Sequence, residues 1–301
     1  MTDAHDTAAP SRALVWLQAA RLYAVGLTIA PVLVGACLAR VVTGQVNLPA
    51  VIVALIGAIL IQTGTNMHND AADADRGGDG PDRVGPPRVT AQGLLSSRAV
   101  KRGAAACFTL SAIAGVYLVS VGGWPILVLG VLSILSGWAY TGGPWPIAYS
   151  PLGEVFVVLF FGVGAVCGTY WLCTESVSLA AVLAGVAMGL FAAAVLLVNN
   201  FRDAVADARV GRHTLAICLG RAAALRIYAA FMLAPFALLL PLGALLPVGH
   251  VWLAFLVMPL AILLIYRLAT RAPGRGLTAV LGQTAHTQAA FAILLCVGVF
   301  L

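Results

Sequence analysis

The sequence predicts an all-α, polytopic membrane protein with nine transmembrane helices, and three observations lead there. Of its 301 residues, 61% are hydrophobic and only 9% are charged, whereas a soluble domain carries about a quarter charged residues. Nine apolar stretches approach or exceed the ~20 residues that cross a bilayer core. No ten-residue alternation of the barrel kind occurs, and lipid offers no partner to open backbone, so the stretches must be helices. A compact soluble fold cannot hide this much apolar surface. A soluble enzyme, a disordered chain and a nucleic-acid-binding domain are thereby excluded, although a net charge of +6 would otherwise point to nucleic acid.

The elements follow in order. Residues 1–20 carry Asp3 and Asp6 ahead of any apolar run, unlike a secretory signal, and read as a short, mobile cytoplasmic tail. The expected spans are Tyr23–Val42, Val46–Gln62, Ala99–Val121, Trp124–Tyr140, Leu152–Thr174, Leu179–Val198, Ala222–Leu242, Val248–Leu268 and Leu281–Leu301. With nine crossings, sixteen of the seventeen Lys and Arg fall on one side and only Arg40 on the other. The positive-inside rule then puts the N-terminus in the cytoplasm and the C-terminus outside, in the inner (cytoplasmic) membrane. Cys37, Cys107, Cys167, Cys173, Cys218 and Cys296 have no metal-finger spacing. Most sit in apolar runs as small hydrophobes, so neither zinc nor a disulfide framework is expected.

Seven of the eleven acids cluster in two segments on the basic side. TNMHNDAADADRGGDGPDRVGPPR begins where span two ends, and its Asn66, Asp70 and Asp73 share one face of a helix. VNNFRDAVADARVGRHT begins where span six ends, and Asn199, Asp203 and Asp207 share a face in the same way. The sets start 133 residues apart, at 66 and 199, and a related pattern follows each: RVTAQGLLSSRAVKR and HTLAICLGRAAALR. The chain therefore reads as one integral-membrane domain, 1–301, of two related halves, with a site between them. Clusters rich in oxygen and poor in His and Cys favour Mg²⁺, which takes a few carboxylates and leaves positions for phosphate oxygens. Arg83, Arg88, Arg202 and Arg212 add paired donors for a diphosphate. Asp75 and Asp82 fall off the first face and are equally well read as solvated.

These residues resemble the UbiA superfamily of membrane prenyltransferases, and most closely its menaquinone branch, the 1,4-dihydroxy-2-naphthoate polyprenyltransferases. The first motif of that branch is matched by Asn66, Asn69, Asp70, Asp73, Asp79, Asp82, Arg83, Gly85, Pro86 and Arg88. The second is matched by Asn199, Asn200, Arg202, Asp203 and Asp207. YTGGPWPIAYSPLGEVFVVLFFG resembles the branch's loop into span five and supplies Tyr140, Tyr149 and Glu154. Departures are Gly77, where many members have Asp, His68 and Ala71, and RLYAVGL from Arg21 in place of an R-P-x-T-L-P pattern.

The resemblance implies helices around a central cavity. It implies Mg²⁺-dependent loss of diphosphate from a polyprenyl donor and alkylation of an aromatic acceptor, the ring carboxylate leaving as carbon dioxide to give a demethylmenaquinone. Metal and diphosphate are then expected at Asn66, Asp70, Asp73, Asp79, Asp203 and Asp207, with Asn69, Arg83, Arg88, Asn199, Asn200, Arg202 and Arg212 on the substrate. Glu154 is a candidate for the acceptor hydroxyls, its alternative being a helix-terminal carboxylate. Tyr140 and Tyr149 are candidates to shield an allylic cation, or members of an interfacial belt. His286, with Gln283, Thr284, Thr287 and Gln288, reads as helix-to-helix hydrogen bonding, and His213 as a phosphate contact or an exposed loop residue. Other readings are prenyl transfer to 4-hydroxybenzoate or homogentisate, or a membrane transporter. A transporter would bury its charges nearer mid-membrane.

Overall fold

A computed structural model describes residues 11–21, 24–77, 84–246, 249–272 and 274–301. Asp79, Asp82 and Arg83, the tail through residue 10, and the expected span starts at Tyr23 and Val248 lie outside the described residues.

The described chain is built from helices: α1 (Arg12–Ala20), α2 (Gly26–Thr43), α3 (Leu48–Asp75), α4 (Ser97–Ala139), α5 (Gly153–Thr174), α6 (Leu179–Arg209), α7 (Leu215–Leu245), α8 (Val251–Thr270) and α9 (Leu277–Phe300). Among the described residues, eight are long and apolar enough to cross a membrane. The difference from nine lies in α4. A straight 43-residue helix would span about 64 Å, twice a bilayer core. It breaks at Gly123, whose φ of 68° only glycine adopts readily. Gly137 on the second arm lies against Phe108 on the first, so the arms run side by side and α4 is two crossings. The indole of Trp171 donates to the Gly122 carbonyl at 2.8 Å and closes the turn.

Local sequence explains where the helices begin. Asn47, Ser96 and Ser178 each accept the backbone N–H three residues on, at 3.2, 3.2 and 3.1 Å, satisfying donors that a helix N-terminus leaves open. α6 is the central element. Its small residues, Ala181, Ala184 and Ala193 among them, are fully covered, and they let neighbouring backbones approach as small residues do in membrane bundles. Gly162 of α5 lies so close to α6 that a Cβ would come within 2.4 Å of the Gly185 carbonyl oxygen.

Two expectations are revised. The tail through residue 20 is helical from Arg12: Ser11 caps it, and Val15, Ala19 and Ala20 pack with Met67 and Ala71. The acidic segments do not begin as loops after spans two and six. Their first parts belong to the helices, because α3 and α6 continue past Gln62 and Val198 to Asp75 and Arg209.

Candidate active site

The ends of α3 and α6 meet at one end of the bundle, and arginine joins them. Asp73, 2% exposed, receives Arg88 Nη1 on Oδ2 and Arg212 Nη2 on Oδ1, both at 2.5 Å. Arg212 Nη1 reaches Asp207 at 3.0 Å. Burial pulls the pKa of Arg212 down, but Asp73 and then Asp207 outweigh it and hold it above its ordinary value. The guanidinium stays charged, as a bridge between two carboxylates requires.

The remaining acids have other partners. Asp203 is held by the fork of Arg202, Nε to Oδ1 at 2.8 Å and Nη2 to Oδ2 at 2.6 Å, and the same Nη2 also donates to Asn199 Oδ1 at 2.9 Å. Asp70 accepts from the Thr90 hydroxyl and from the Val89 backbone N–H at 3.3 Å, so its carboxylate secures the segment entering α4. Asp75 pairs with Lys101 at the exposed surface, where an ion pair contributes little.

Beside these pairs lies a cavity of about 660 Å³. Its polar rim includes Arg21, Asn66, Asn69, Asn199 and Arg202, and its apolar wall includes Tyr140, Phe156, Phe160 and Phe161. Asn66 Nδ2 donates to the Ala20 carbonyl at 3.4 Å, while Asn69 Oδ1 is buried with no hydrogen-bond partner. Phe160 and Phe161 come from Val158–Gly164 of α5, a stretch wound as a π-helix. Such wide turns re-aim side chains and recur at functional sites. Asp70, Asp73, Asp203 and Asp207 do not line the cavity; their side chains stand behind or beside the rim.

Several expected residues sit elsewhere than the cavity wall, Arg88, Asn200 and Arg212 among them. The Tyr149 ring carries the guanidinium carbons of Arg76 and Arg212, each 5.1 Å from its centroid, so arginine occupies the face that was expected to shield an allylic cation. Glu154 is buried off the wall and accepts from Asn200 Nδ2 at 2.9 Å, its second oxygen without a partner. His286 and His213 are exposed. The polar patch of α9 makes the expected helix-to-helix bonds: Thr284 with the Tyr228 hydroxyl at 2.8 Å, and Gln288 to the Met188 carbonyl at 3.0 Å.

Sequence reasoning passed over Arg76, which donates to the Thr141 carbonyl at 2.6 Å and pins the loop before α5. It also passed over Gln62, on the cavity wall, which donates to the Ala24 carbonyl at 2.9 Å and accepts from Thr28. A lone Gln in an apolar span is the signal that marks it.

An all-helical bundle with several membrane crossings, holding an apolar cavity under a rim of amides and arginines beside paired carboxylates, defines a membrane enzyme for an amphipathic, anionic substrate. The chain belongs to the UbiA prenyltransferase family, whose sequence profile matches residues 28–276. It is accordingly a multi-span membrane enzyme that transfers prenyl groups. It is 35% identical over 229 residues to the 1,4-dihydroxy-2-naphthoate octaprenyltransferase of Escherichia coli strain K12, covering 74% of each chain. It is 36% identical over 213 residues to the enzyme of that name from Mycobacterium tuberculosis, covering 71% of this chain and 72% of the other. The fold matches a UbiA homolog from Archaeoglobus fulgidus bound to DMAPP and Mg²⁺, with a TM-score of 0.64 at 16% identity over 93% of this chain and 98% of that one.

Proposed function

We propose that the protein transfers a polyprenyl group from its diphosphate to 1,4-dihydroxy-2-naphthoate, with loss of the ring carboxylate, in the inner membrane and with both acidic helix ends facing the cytoplasm. The observation that carries the chemistry is the cavity itself, apolar and aromatic below, with amide and guanidinium groups at its mouth. An allylic diphosphate has the same two-part character. The names of the bacterial relatives supply the acceptor, and the one-sided Arg distribution supports the orientation.

The donor set fits Mg²⁺. The oxygens are hard, Asn69 Oδ1 is buried without a partner, and no three His, Cys, Asp or Glu form a ready cage among the described residues. Mg²⁺ characteristically uses one or two carboxylates plus substrate phosphate rather than an all-protein cage. Asn66, Asp70, Asp73, Asp203 and Asp207 are the residues proposed to hold it. Asp79, expected in the same set, lies outside the described residues. When bound, the ion offsets charge on the departing diphosphate.

The chain's own groups do the rest. Arg202 and Arg21 offer donors to the diphosphate at the mouth, and Arg88 and Arg212 keep the carboxylates behind it from repelling the anion. The allylic C–O bond breaks and its electron pair leaves with the diphosphate. Tyr140, Phe160 and Phe161 exclude water from the carbon left electron-poor and present ring faces to it. The acceptor's ring carbon bearing the carboxylate forms the new C–C bond. The bond to the carboxylate then breaks, its electrons restore the aromatic ring, and carbon dioxide departs. The product is the reduced form of a demethylmenaquinone. Glu154, whose second oxygen has no hydrogen-bond partner, is the residue proposed for a hydroxyl of the acceptor, its first oxygen being held by Asn200.

The test is a competition. Membranes containing the protein receive a polyprenyl diphosphate with equal dihydroxynaphthoate and 4-hydroxybenzoate, and prenylated products and released carbon dioxide are scored by mass. Preference for the naphthoate with stoichiometric carbon dioxide is expected. Preference for 4-hydroxybenzoate, or a naphthoate product that keeps its carboxylate, overturns the acceptor assignment.

A further inference from the structure

Two thiols meet at the end of the bundle opposite the acidic helix ends. α2 packs along α9, and Cys37 of α2 shares a hydrogen bond with Cys296 of α9. Cys37 stands toward the Thr43 end of α2, which leads into the start of α3, and Cys296 stands toward the Phe300 end of α9. Their neighbours fix them in place. Val34 and Leu38 lie beside Cys37, Leu295 and Val299 lie beside Cys296, and all four belong to one packed core. Neither thiol takes part in the chemistry above.

The pair is held firmly on one side and open on the other. Each cysteine is only half buried. Leu33, one turn before Cys37, is exposed, and so are Ile293 and Val297 beside Cys296. On membrane-spanning helices such an apolar, uncovered face meets lipid, so a lipid-soluble reagent can reach the sulfurs. Two sulfurs already in hydrogen-bond contact need only a small approach to bond, and helices that pack side by side bring their backbones within reach of a disulfide.

We propose that Cys37 and Cys296 form a reversible dithiol–disulfide pair, oxidised by a lipid-soluble quinone, and that the disulfide slows prenyl transfer. In the step, both S–H bonds break and one S–S bond forms. Two electrons and two protons pass to the quinone, which becomes a hydroquinone. On the reading above the reaction's own product is a hydroquinone, and its oxidised form is the oxidant. The choice of a naphthoquinone rests on that reading; the pairing of the thiols does not. The consequence for turnover follows from where the two helices run. α2 and α9 both wall the cavity, through Leu27, Thr28, Thr278, Leu281 and Gly282 near their starts. Helices in lipid are held side by side by packing alone, and a covalent link restrains the movements that admit substrate and release product. Accumulated quinone then restrains its own synthesis.

The experiment uses the full-length protein in lipid nanodiscs, reduced and then exposed to 2,3-dimethyl-1,4-naphthoquinone, whose substituted ring has no open carbon for a thiol to add to. Digestion without reductant, followed by mass measurement, should find the Cys37 and Cys296 peptides joined and lighter by two hydrogens. Prenyl transfer from geranyl diphosphate should lose most of its rate and regain it with dithiothreitol. Cys37→Ser and Cys296→Ser should keep the parent's basal rate and be unmoved by the quinone, which separates the disulfide from a quinone that merely occupies the cavity. The absence of a joined peptide overturns the proposal, as does a joined peptide at full rate, or a serine variant slowed as much as the parent. Should a serine variant lose its basal rate, the joined peptide and the recovery with dithiothreitol in the unchanged protein decide. A reduced, unchanged protein that makes no prenylated dihydroxynaphthoate fails the reading above, a result distinct from the joined peptide, which is scored without turnover.

Discussion

Arg212 reaches Asp73 across 139 residues of sequence, at 2.5 Å, and with its other amino group holds Asp207. One side chain thereby closes a circuit between the acidic helix end of each half. Arg212→Gln is expected to leave Asp73 with Arg88 alone and to separate the two ends. A half-broken buried pair costs about 2 kcal/mol or more, so thermal unfolding in detergent should shift down along with the loss of activity. A variant as stable and active as the parent would contradict the bridging role.

Asp203 and Asp207 separate chemistry from folding. Each lies near the end of α6 with an arginine partner. Asp203→Asn, whose amide oxygen still accepts from Arg202, is expected to lower turnover by on the order of 10²-fold or more, with a smaller fall in melting temperature than Arg212→Gln, because it removes charge needed at the departing diphosphate. Chelation of divalent cations should silence the parent, and Mg²⁺ should restore it.

Asp70→Ala should behave differently. Its carboxylate carries the Val89 N–H and the Thr90 hydroxyl, and removing it leaves a buried donor unsatisfied, at about 1–3 kcal/mol. Loss of activity together with protease sensitivity between Pro86 and Ser96 is the expected outcome. Loss of activity with an unaltered digest would assign Asp70 to chemistry alone.

Gly162→Ala tests the packing of α5 on α6. The added methyl would stand 2.4 Å from the Gly185 carbonyl oxygen, so the helices must separate, at a cost of about 1–3 kcal/mol. Unfolding of the purified protein should register it, and an unchanged midpoint would show that α5 gives way freely.

Orientation has a native reporter. Cys218 is exposed, beside the end that holds Arg212. A membrane-impermeant maleimide should spare it in intact cells and reach it after permeabilisation, whereas a cysteine appended after Leu301 should react in intact cells. The reverse pattern would invert the topology.

Much of this architecture was legible because hydropathy reports lipid exposure directly. Both aspartates of each acidic set were also visible, since a three- or four-residue spacing is a statement about one helix face. What escaped was whatever depends on a partner distant in sequence. Hydropathy stops at Gln62 and Val198, yet α3 and α6 run on to Asp75 and Arg209, their polar last turns held by arginines from elsewhere in the chain. Tyr149 could not be read as an arginine platform, because its partners come from the ends of two different halves. The cavity wall was half legible: Tyr140 was expected at the substrate, but not the π-wound turn that carries Phe160 and Phe161 to the wall. The tail was misread at Ser11, a helix cap whose first turn buries Val15 and, a turn later, Ala19.

The break at Gly123 also bears on how the protein enters its membrane. The two arms of α4 are joined through Gly122 and Gly123 alone, and no charged residue lies between Arg102 and Glu154. The insertion machinery therefore meets about 40 apolar residues with no polar loop to carry across. The arms can enter together as a preformed hairpin from the side where both begin and end, every backbone group but those at the turn already paired within its own helix.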